Sequence, residues 1–428
     1  MTYYNKVKNQ NGFLAAASSR QTLDFTALQK SNLWESATSR WGVQYLFACR
    51  VICKRPSDIL PLLADRIRSG CDTRFDPCIE NLIQGPREEA TTLSQMAELQ
   101  IVRAYELESL GYVWAALAPL LRPDSSIRQT MTSERPVRKR NQPEHSEYIP
   151  SEDLQIGSSP PERPNTASSL PSSVGYMERS SAPLVEDFTV RFMSCLIRCV
   201  LNYVQLVNKE LPIIHYRDRR LSFTCEEAGM GHPFEAIDDG GVQLQHLGEN
   251  LQVAILEAKR SFQAIADSRP TVSDELLAQI VGEALALRLQ DHACICREVG
   301  HSVIVFLSPP FPHTPICPFR ADVTSSIVSI VAVKYYIKLF HFNITNDFIR
   351  CFKTLHPTDA NSDHSTYLMV DSTAWFDMRE VAGRKYFVRH LVALVAWADA
   401  AFSATINLED SEDSEDAGDV EDYMDIGE

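Results

Sequence analysis

Apolar and polar positions change rhythm several times along the chain, and each change marks an element. Between residues 32 and 120 the rhythm is helical: Leu93, Ala97, Ile101 and Tyr105 in "TLSQMAELQIVRAYELESL" form one stripe. Ser57 offers an N-cap for "PSDILPLLADRI". A second stripe runs through Leu184, Phe188, Phe192, Cys195, Cys199 and Tyr203, spaced by threes and fours as in an amphipathic helix. "RRLSFTC" and "GVQLQHL" then read as strands, followed by "NLQVAILEAKR". After Pro270 the period returns to helical in "TVSDELLAQIVGEALALRLQ". Ser273 caps it, Asp274 and Glu275 suit its first turn, and Leu276, Leu277, Ile280, Val281, Ala284 and Leu285 supply its buried face. "SSIVSIVAVKYYIKLFHFNI", β-branched and aromatic, gives one long strand or two. The intervening "REVGHSVIVFLSPPFPHTPICPFRADV" fits neither rhythm and reads either as an extra strand with a Pro-rich loop or as an insertion.

Composition divides this pattern into regions. Residues 123 to 183 hold nine of the 23 prolines and few large apolar residues, so they cannot bury enough surface to offset their ordering entropy. The expected organisation is a helical N-terminal region (1–122), a disordered Pro/Ser-rich linker (123–182), a folded domain (183–405) and an acidic disordered tail (406–428). Within the linker, "RPVRKR" at Arg135 to Arg140 is either a solvated basic patch or a nuclear-import signal.

A net charge of -15 argues at first against a nucleic-acid partner, which normally needs a basic footprint. However, residues 408 to 428 carry eleven carboxylates and no Lys or Arg, which leaves -4 on the rest. The eleven cysteines are scattered and odd in number, and the first residues are polar, so reduced thiols in an intracellular protein are expected. The longest apolar segment, Leu391 to Phe402, is shorter than the roughly 20 residues of a membrane span and contains Asp399. A soluble protein with no membrane partner is expected.

Chemistry concentrates in "LQVAILEAKR". A period of two puts Val253, Ile255, Glu257 and Lys259 on one face and Ala254, Leu256 and Ala258 on the other, which describes a central strand covered on both sides. Two opposite charges therefore end a core strand, where burial costs several kcal/mol each unless partners compensate. An ion pair is one compensation. The other is a metal ion on Glu257 and an anionic substrate against Lys259. Upstream, "FEAIDDGGV" places Asp238 and Asp239 at a strand start, and Asp239 precedes Glu257 by the length of a hairpin that turns at "GEN". Carboxylates brought together this way repel, and a divalent cation with oxygen preferences, most simply Mg²⁺, relieves the repulsion. Such a cation polarises a phosphodiester and acidifies water, while Lys259 orients that water or stabilises charge on phosphorus.

Other constellations are weaker. His292, Cys294, Cys296, His301 and Cys317 lack zinc-ligand spacing. Arg379, Arg384, Lys385, Arg389 and His390 make a charge run that is either a solvated helix face or a contact to phosphates. Gly-rich phosphate loops and a Gly-x-Ser-x-Gly elbow are absent from the sequence.

The pattern Asp239, one hairpin, then Glu257-Ala258-Lys259 resembles the PD-(D/E)XK nuclease superfamily. The likeness extends to fungal PD-(D/E)XK-like proteins through the "DDGG", "ILEAKR" and "AQIVGEAL" blocks, and covers roughly residues 183 to 345. It implies an α/β fold of the restriction-endonuclease-like type: a central mixed sheet flanked by helices, with a helix before the sheet and another after the E-x-K strand. It also implies Asp239, Glu257, Lys259 and Gln279 as catalytic residues, Asp239, Glu257 and Asp238 as metal ligands, and Glu186 at the place of an additional acidic ligand. Glu275 and Glu283 flank Gln279 at i±4. The literal Pro-Asp is missing, since Ile237 and Asp238 precede Asp239. The activity implied is Mg²⁺-dependent hydrolysis of a phosphodiester in nucleic acid, DNA before RNA, with Mn²⁺ as a substitute cation. The alternative is an inactive nuclease-like module that binds nucleic acid or protein and keeps its E-x-K as an ion pair.

Overall fold

The computed structural model describes residues 1–69, 75–105, 109–122, 186–226, 232–266, 269–290, 326–359 and 364–412. Its strands are β1 (Val51–Cys53), β2 (Ile213–Arg217), β3 (Ser222–Cys225), β4 (Phe234–Ile237), β5 (Gly241–His246), β6 (Glu249–Lys259), β7 (Ala264–Ala266), β8 (Arg269–Thr271), β9 (Ser326–Val333), β10 (Tyr336–Asn343), β11 (Leu368–Ser372) and β12 (Phe376–Asp377). The helices that matter most here are α1 (Pro77–Gln84), α2 (Leu110–Leu117), α3 (Asp187–Val204), α4 (Asp274–Leu289) and α5 (Val381–Glu412).

The main sheet is mixed, in the order β1-β11-β10-β9-β6-β5-β2, with β12 added to β10. Within it β2, β5 and β6 run antiparallel, while β3 and β4 form a separate hairpin. The step from β6 to β9 is parallel and crosses by way of α4. This gives the protein a mixed α/β fold, with helices on both faces of a large sheet and a mostly helical N-terminal region.

Each face of the sheet carries its own apolar core. On one, Ala254, Leu256, Val328, Ile330 and Leu339 pack with α1, α2, α3 and α5 through residues such as Leu82, Trp114, Phe192 and Leu391. On the other, Ile327, Val331, Phe340 and Phe342 pack with α4 and with N-terminal residues including Phe13, Phe25 and Trp41. β6 is thus buried from Val253 to Lys259, as a strand covered on both sides must be. The N-terminal region also completes the sheet: β1 pairs in parallel with β11, Val51 opposite Leu368.

Local expectations met mixed outcomes. Ser273 does cap α4, accepting from the Leu276 N–H at 3.1 Å, and the long apolar run near residue 330 is two strands that turn at Lys334, which has positive φ. Ser57, by contrast, does not cap a helix; it bridges Thr373 in extended backbone. The stripe from Leu93 to Tyr105 is broken: helices Ala90–Gln95 and Glu98–Ala104 meet at Ala97, which stands at the N-cap of the second. The linker with its "RPVRKR", the 291–325 segment with its His and Cys residues, and the tail beyond 412 lie outside the described residues. Among the described residues no helix is long and apolar enough to cross a membrane.

Candidate metal and catalytic centre

The hairpin that brings the acids together is built by turn residues and two glycines. β5 and β6 are joined through Leu247 and Gly248, both with positive φ, in the compact turn this geometry favours. At the other end of β5, Gly240 has φ +136° and a Cβ there would lie 2.7 Å from the Tyr216 hydroxyl. A Cβ on Gly241 would press into the Ala254 carbonyl. Only glycine lets the chain arrive this close to β6. As a result the Asp239 N–H donates to the Leu256 carbonyl at 2.9 Å, and Asp239 Oδ2 accepts from the Ala258 N–H at 3.0 Å. The side chain of Asp239 continues the ladder past the end of β5.

Glu257 and Lys259 end β6 as buried neighbours: Lys259 Nζ lies 2.5 Å from Glu257 Oε1. From α4, the Gln279 amide donates to Glu257 Oε1 at 2.7 Å and to Glu283 Oε1 at 2.9 Å. Gln279 therefore spans a strand carboxylate and a helix carboxylate with one NH₂ group. Glu275 stands exposed on the first turn of α4. Glu186, just ahead of α3, is near enough for its charge to act on Asp239, Glu257 and Lys259.

Asp238 has a different position from the metal ligand expected of it. Fully buried, it pairs with Arg217 at 2.5 and 3.2 Å and accepts from the N–H groups of Leu221 (2.9 Å) and Gly240 (3.2 Å). It ties β2 to the turn that carries Asp239. Sequence reasoning missed Arg217 and Arg220, because "YRDRR" has no periodicity or motif to single them out. Arg220 comes within 3.1 Å of Asp239 Oδ1 without directing an N–H at it, so that oxygen has a nearby charge and no hydrogen bond. The charge run on α5, read as a solvated face or a contact to phosphates, is in part neither. Arg384 is buried and donates to the carbonyls of Ile83, Gln84, Met378 and Arg379, while His390 is buried and accepts from the Leu60 N–H.

The electrostatics follow from this burial. Asp239 is pushed up to about 8 by desolvation, with Glu257 and Glu186 adding to the rise. Glu257 is also raised by burial, against the pull of Lys259, and Glu283 is raised well above the carboxylate range by burial and by Glu257. Burial opposes the Lys259 charge, but Glu257, Glu186 and Asp239 outweigh it and hold the ammonium firmly protonated. Among the described residues no three His, Cys, Asp or Glu side chains form a ready-made metal cluster. Yet Asp239 Oδ1 is a buried oxygen with no hydrogen-bond partner, and the remaining oxygens of Glu257 and Glu283 have no donor other than each other's carboxyl. Mg²⁺ binds through one or two carboxylates and otherwise keeps its waters, so the oxygens of Asp239 and Glu257 fit it.

A pH dependence follows. In the metal-free protein folded Asp239 retains a proton up to about pH 8 that the unfolded chain releases near pH 4. Its contribution to stability is fully present below about pH 4 and declines as pH rises toward 8, by up to about 1.4 kcal/mol per unit. His390, held down at about 4 by burial, pulls the other way between its folded value and about 6.5. The stability difference between wild type and Asp239→Asn therefore isolates the aspartate. Urea unfolding in EDTA should show that difference shifting against the wild type from pH 5 to pH 7; a constant difference would contradict it.

Comparisons with protein-family models, curated proteins and solved structures return no match.

Proposed function

We propose that this chain hydrolyses phosphodiester bonds in nucleic acid, DNA before RNA, at a Mg²⁺-dependent site of the PD-(D/E)XK type on a restriction-endonuclease-like core. The single observation that carries the reading is that Asp239 and Glu257 are buried at one end of the paired strands β5 and β6, close enough for the Glu257 charge to raise Asp239, beside a buried and charged Lys259. The element order supports it as well: helix α3, antiparallel strands up to the E-x-K strand, helix α4, then parallel β9. When bound, Mg²⁺ or Mn²⁺ supplies Lewis acidity at the phosphodiester. Asp239 and Glu257 would hold the cation. Gln279 fixes the Glu257 carboxylate, and Asp238 with Arg217 fixes the turn that carries Asp239. Lys259 offers positive charge to a phosphate oxygen as negative charge builds on it. Water adds to phosphorus, the bond to the leaving oxygen breaks, and that oxygen takes up a proton.

A second reading, the inactive module, draws on a specific contact. Lys259 already neutralises Glu257, and Arg220 stands beside Asp239, so each acid has a cation without metal. Incubating the full chain with labelled DNA and RNA, in Mg²⁺, in Mn²⁺ and in EDTA, tests the choice. Cleavage in either cation that EDTA stops supports the nuclease, and intact substrate in all conditions decides for the module.

A further inference from the structure

The sheet edge that ends in Lys259 also carries four half-buried aromatic rings. Cross-strand pairing places Lys259 opposite Val333 and Val333 opposite Tyr336, so Lys259 and Tyr336 share one face, two strands or roughly 10 Å apart. Phe262, three residues past Lys259, packs edge-on against Tyr336 at 5.4 Å and against Trp375 at 5.1 Å. Tyr335 lies 4.9 Å from Tyr336. The Arg379 guanidinium covers the Tyr335 ring at 4.3 Å, donates to the Tyr336 hydroxyl at 3.0 Å and is anchored by Asp377. Phe262, Tyr335, Tyr336 and Trp375 are neither fully buried nor fully exposed. Arg260 and Lys334 flank these rings in sequence, and Arg379 brings a guanidinium onto them, with Asp377 and Glu380 as nearby acids.

We infer that this edge is a stacking shelf that takes single-stranded DNA into the site, a refinement that rests on the nuclease reading above. Rings presented beside cations are the features that hold a single strand: each base has a stackable face, and the cations follow the phosphates. Depth points the same way. Asp239 and Glu257 are fully buried and Lys259 is only 7 % exposed, so the centre lies below the surface, where a narrow single strand approaches more closely than a stacked duplex. The occupant is taken as DNA, in line with the nuclease reading above, and the oligo-U arm of the test separates it from RNA.

The test measures binding in EDTA, where cleavage plays no part. Fluorescence anisotropy of the full chain with a fifteen-nucleotide oligo-dT, the matching duplex and oligo-U should rank oligo-dT first. Tyr336→Ala and Phe262→Leu should each weaken it roughly 5- to 150-fold, the range for losing one stacked base, and Tyr336→Phe should retain it. Photocrosslinking of a bromouracil-substituted strand to the wild-type protein needs no variant and should mark Phe262, Tyr335, Tyr336 or Trp375. Equal or tighter duplex or oligo-U binding, or crosslinks confined to other surfaces, would overturn the shelf. Cleavage that persists with crosslinks elsewhere would leave the nuclease standing without the shelf. A shelf that binds oligo-dT in a protein that cuts nothing would leave the shelf standing without the nuclease.

Discussion

Glu257→Gln is expected to abolish cleavage and to weaken Mg²⁺ binding together, because the amide keeps the carboxylate's shape but loses the charge that holds a hard cation. Lys259→Ala is expected to separate the two measurements. Cleavage should fall by about 10²- to 10⁴-fold, as for loss of a positioned proton-transfer or charge-stabilising group, while the cation still binds through Asp239 and Glu257. The 2.5 Å contact between Glu257 and Lys259 makes stability part of the comparison. Glu257 already has its proton affinity raised by burial, so in Lys259→Ala it can take up a proton, which limits the loss of stability. In the inactive module there is no cleavage to lose; Glu257→Gln should destabilise by about 3–5 kcal/mol by leaving Lys259 buried without its partner, while uptake of a proton by Glu257 limits the loss in Lys259→Ala there too. Isothermal titration with Mg²⁺, a cleavage assay and urea unfolding on the wild type and both variants distinguish the cases. A wild type that neither binds Mg²⁺ nor cuts would reject the nuclease.

Arg217→Ala should destabilise by up to about 3–5 kcal/mol, because it leaves Asp238 enclosed without its cation; burial already raises Asp238 to about 6, so uptake of a proton offsets part of the loss at neutral pH. The same change should lower cleavage, since Asp238 also holds the Gly240 N–H and so sets where Asp239 arrives. Removing both partners, as in Arg217→Ala with Asp238→Ala, should recover part of the lost stability, the coupling being read from the four-member cycle in urea. Four equally stable proteins would show that the pair holds nothing in place.

These expectations depend on which features the chain announces locally. The β5–β6 hairpin was legible because alternation on both sides of a Gly-containing turn needs no distant information, and α4 was legible from Ser273 and its apolar face. β1 was not: three residues, Val51 to Cys53, carry too little pattern, and their strand state comes from pairing with β11. β2 was missed for a similar reason, being a short edge strand whose Ile214 N–H and carbonyl are covered by the Gln205 side chain. In the centre, Asp239, Glu257 and Lys259 stood out by spacing. The division of labour between Asp238 and Asp239 did not, because adjacent aspartates differ only in what the fold puts against them, here Arg217 for one and Ala258 for the other. Arg384 and His390 read as surface charges for the same reason. Their partners are backbone groups of Ile83, Gln84 and Leu60, far away in the chain.

The pairing of Val51 with Leu368 also sets a timetable for the chain as it is made. At about 5–20 residues per second, roughly 15–60 s pass between synthesis of β1 and of the strand it leans on. Throughout that interval Phe13, Phe25 and Trp41 have emerged while Phe340, Phe342 and Phe352, which belong to the same core, have not. The first fifty residues are therefore a sticky nascent segment that depends on slow, long-range closure, the situation in which a growing chain most needs a chaperone to shield it.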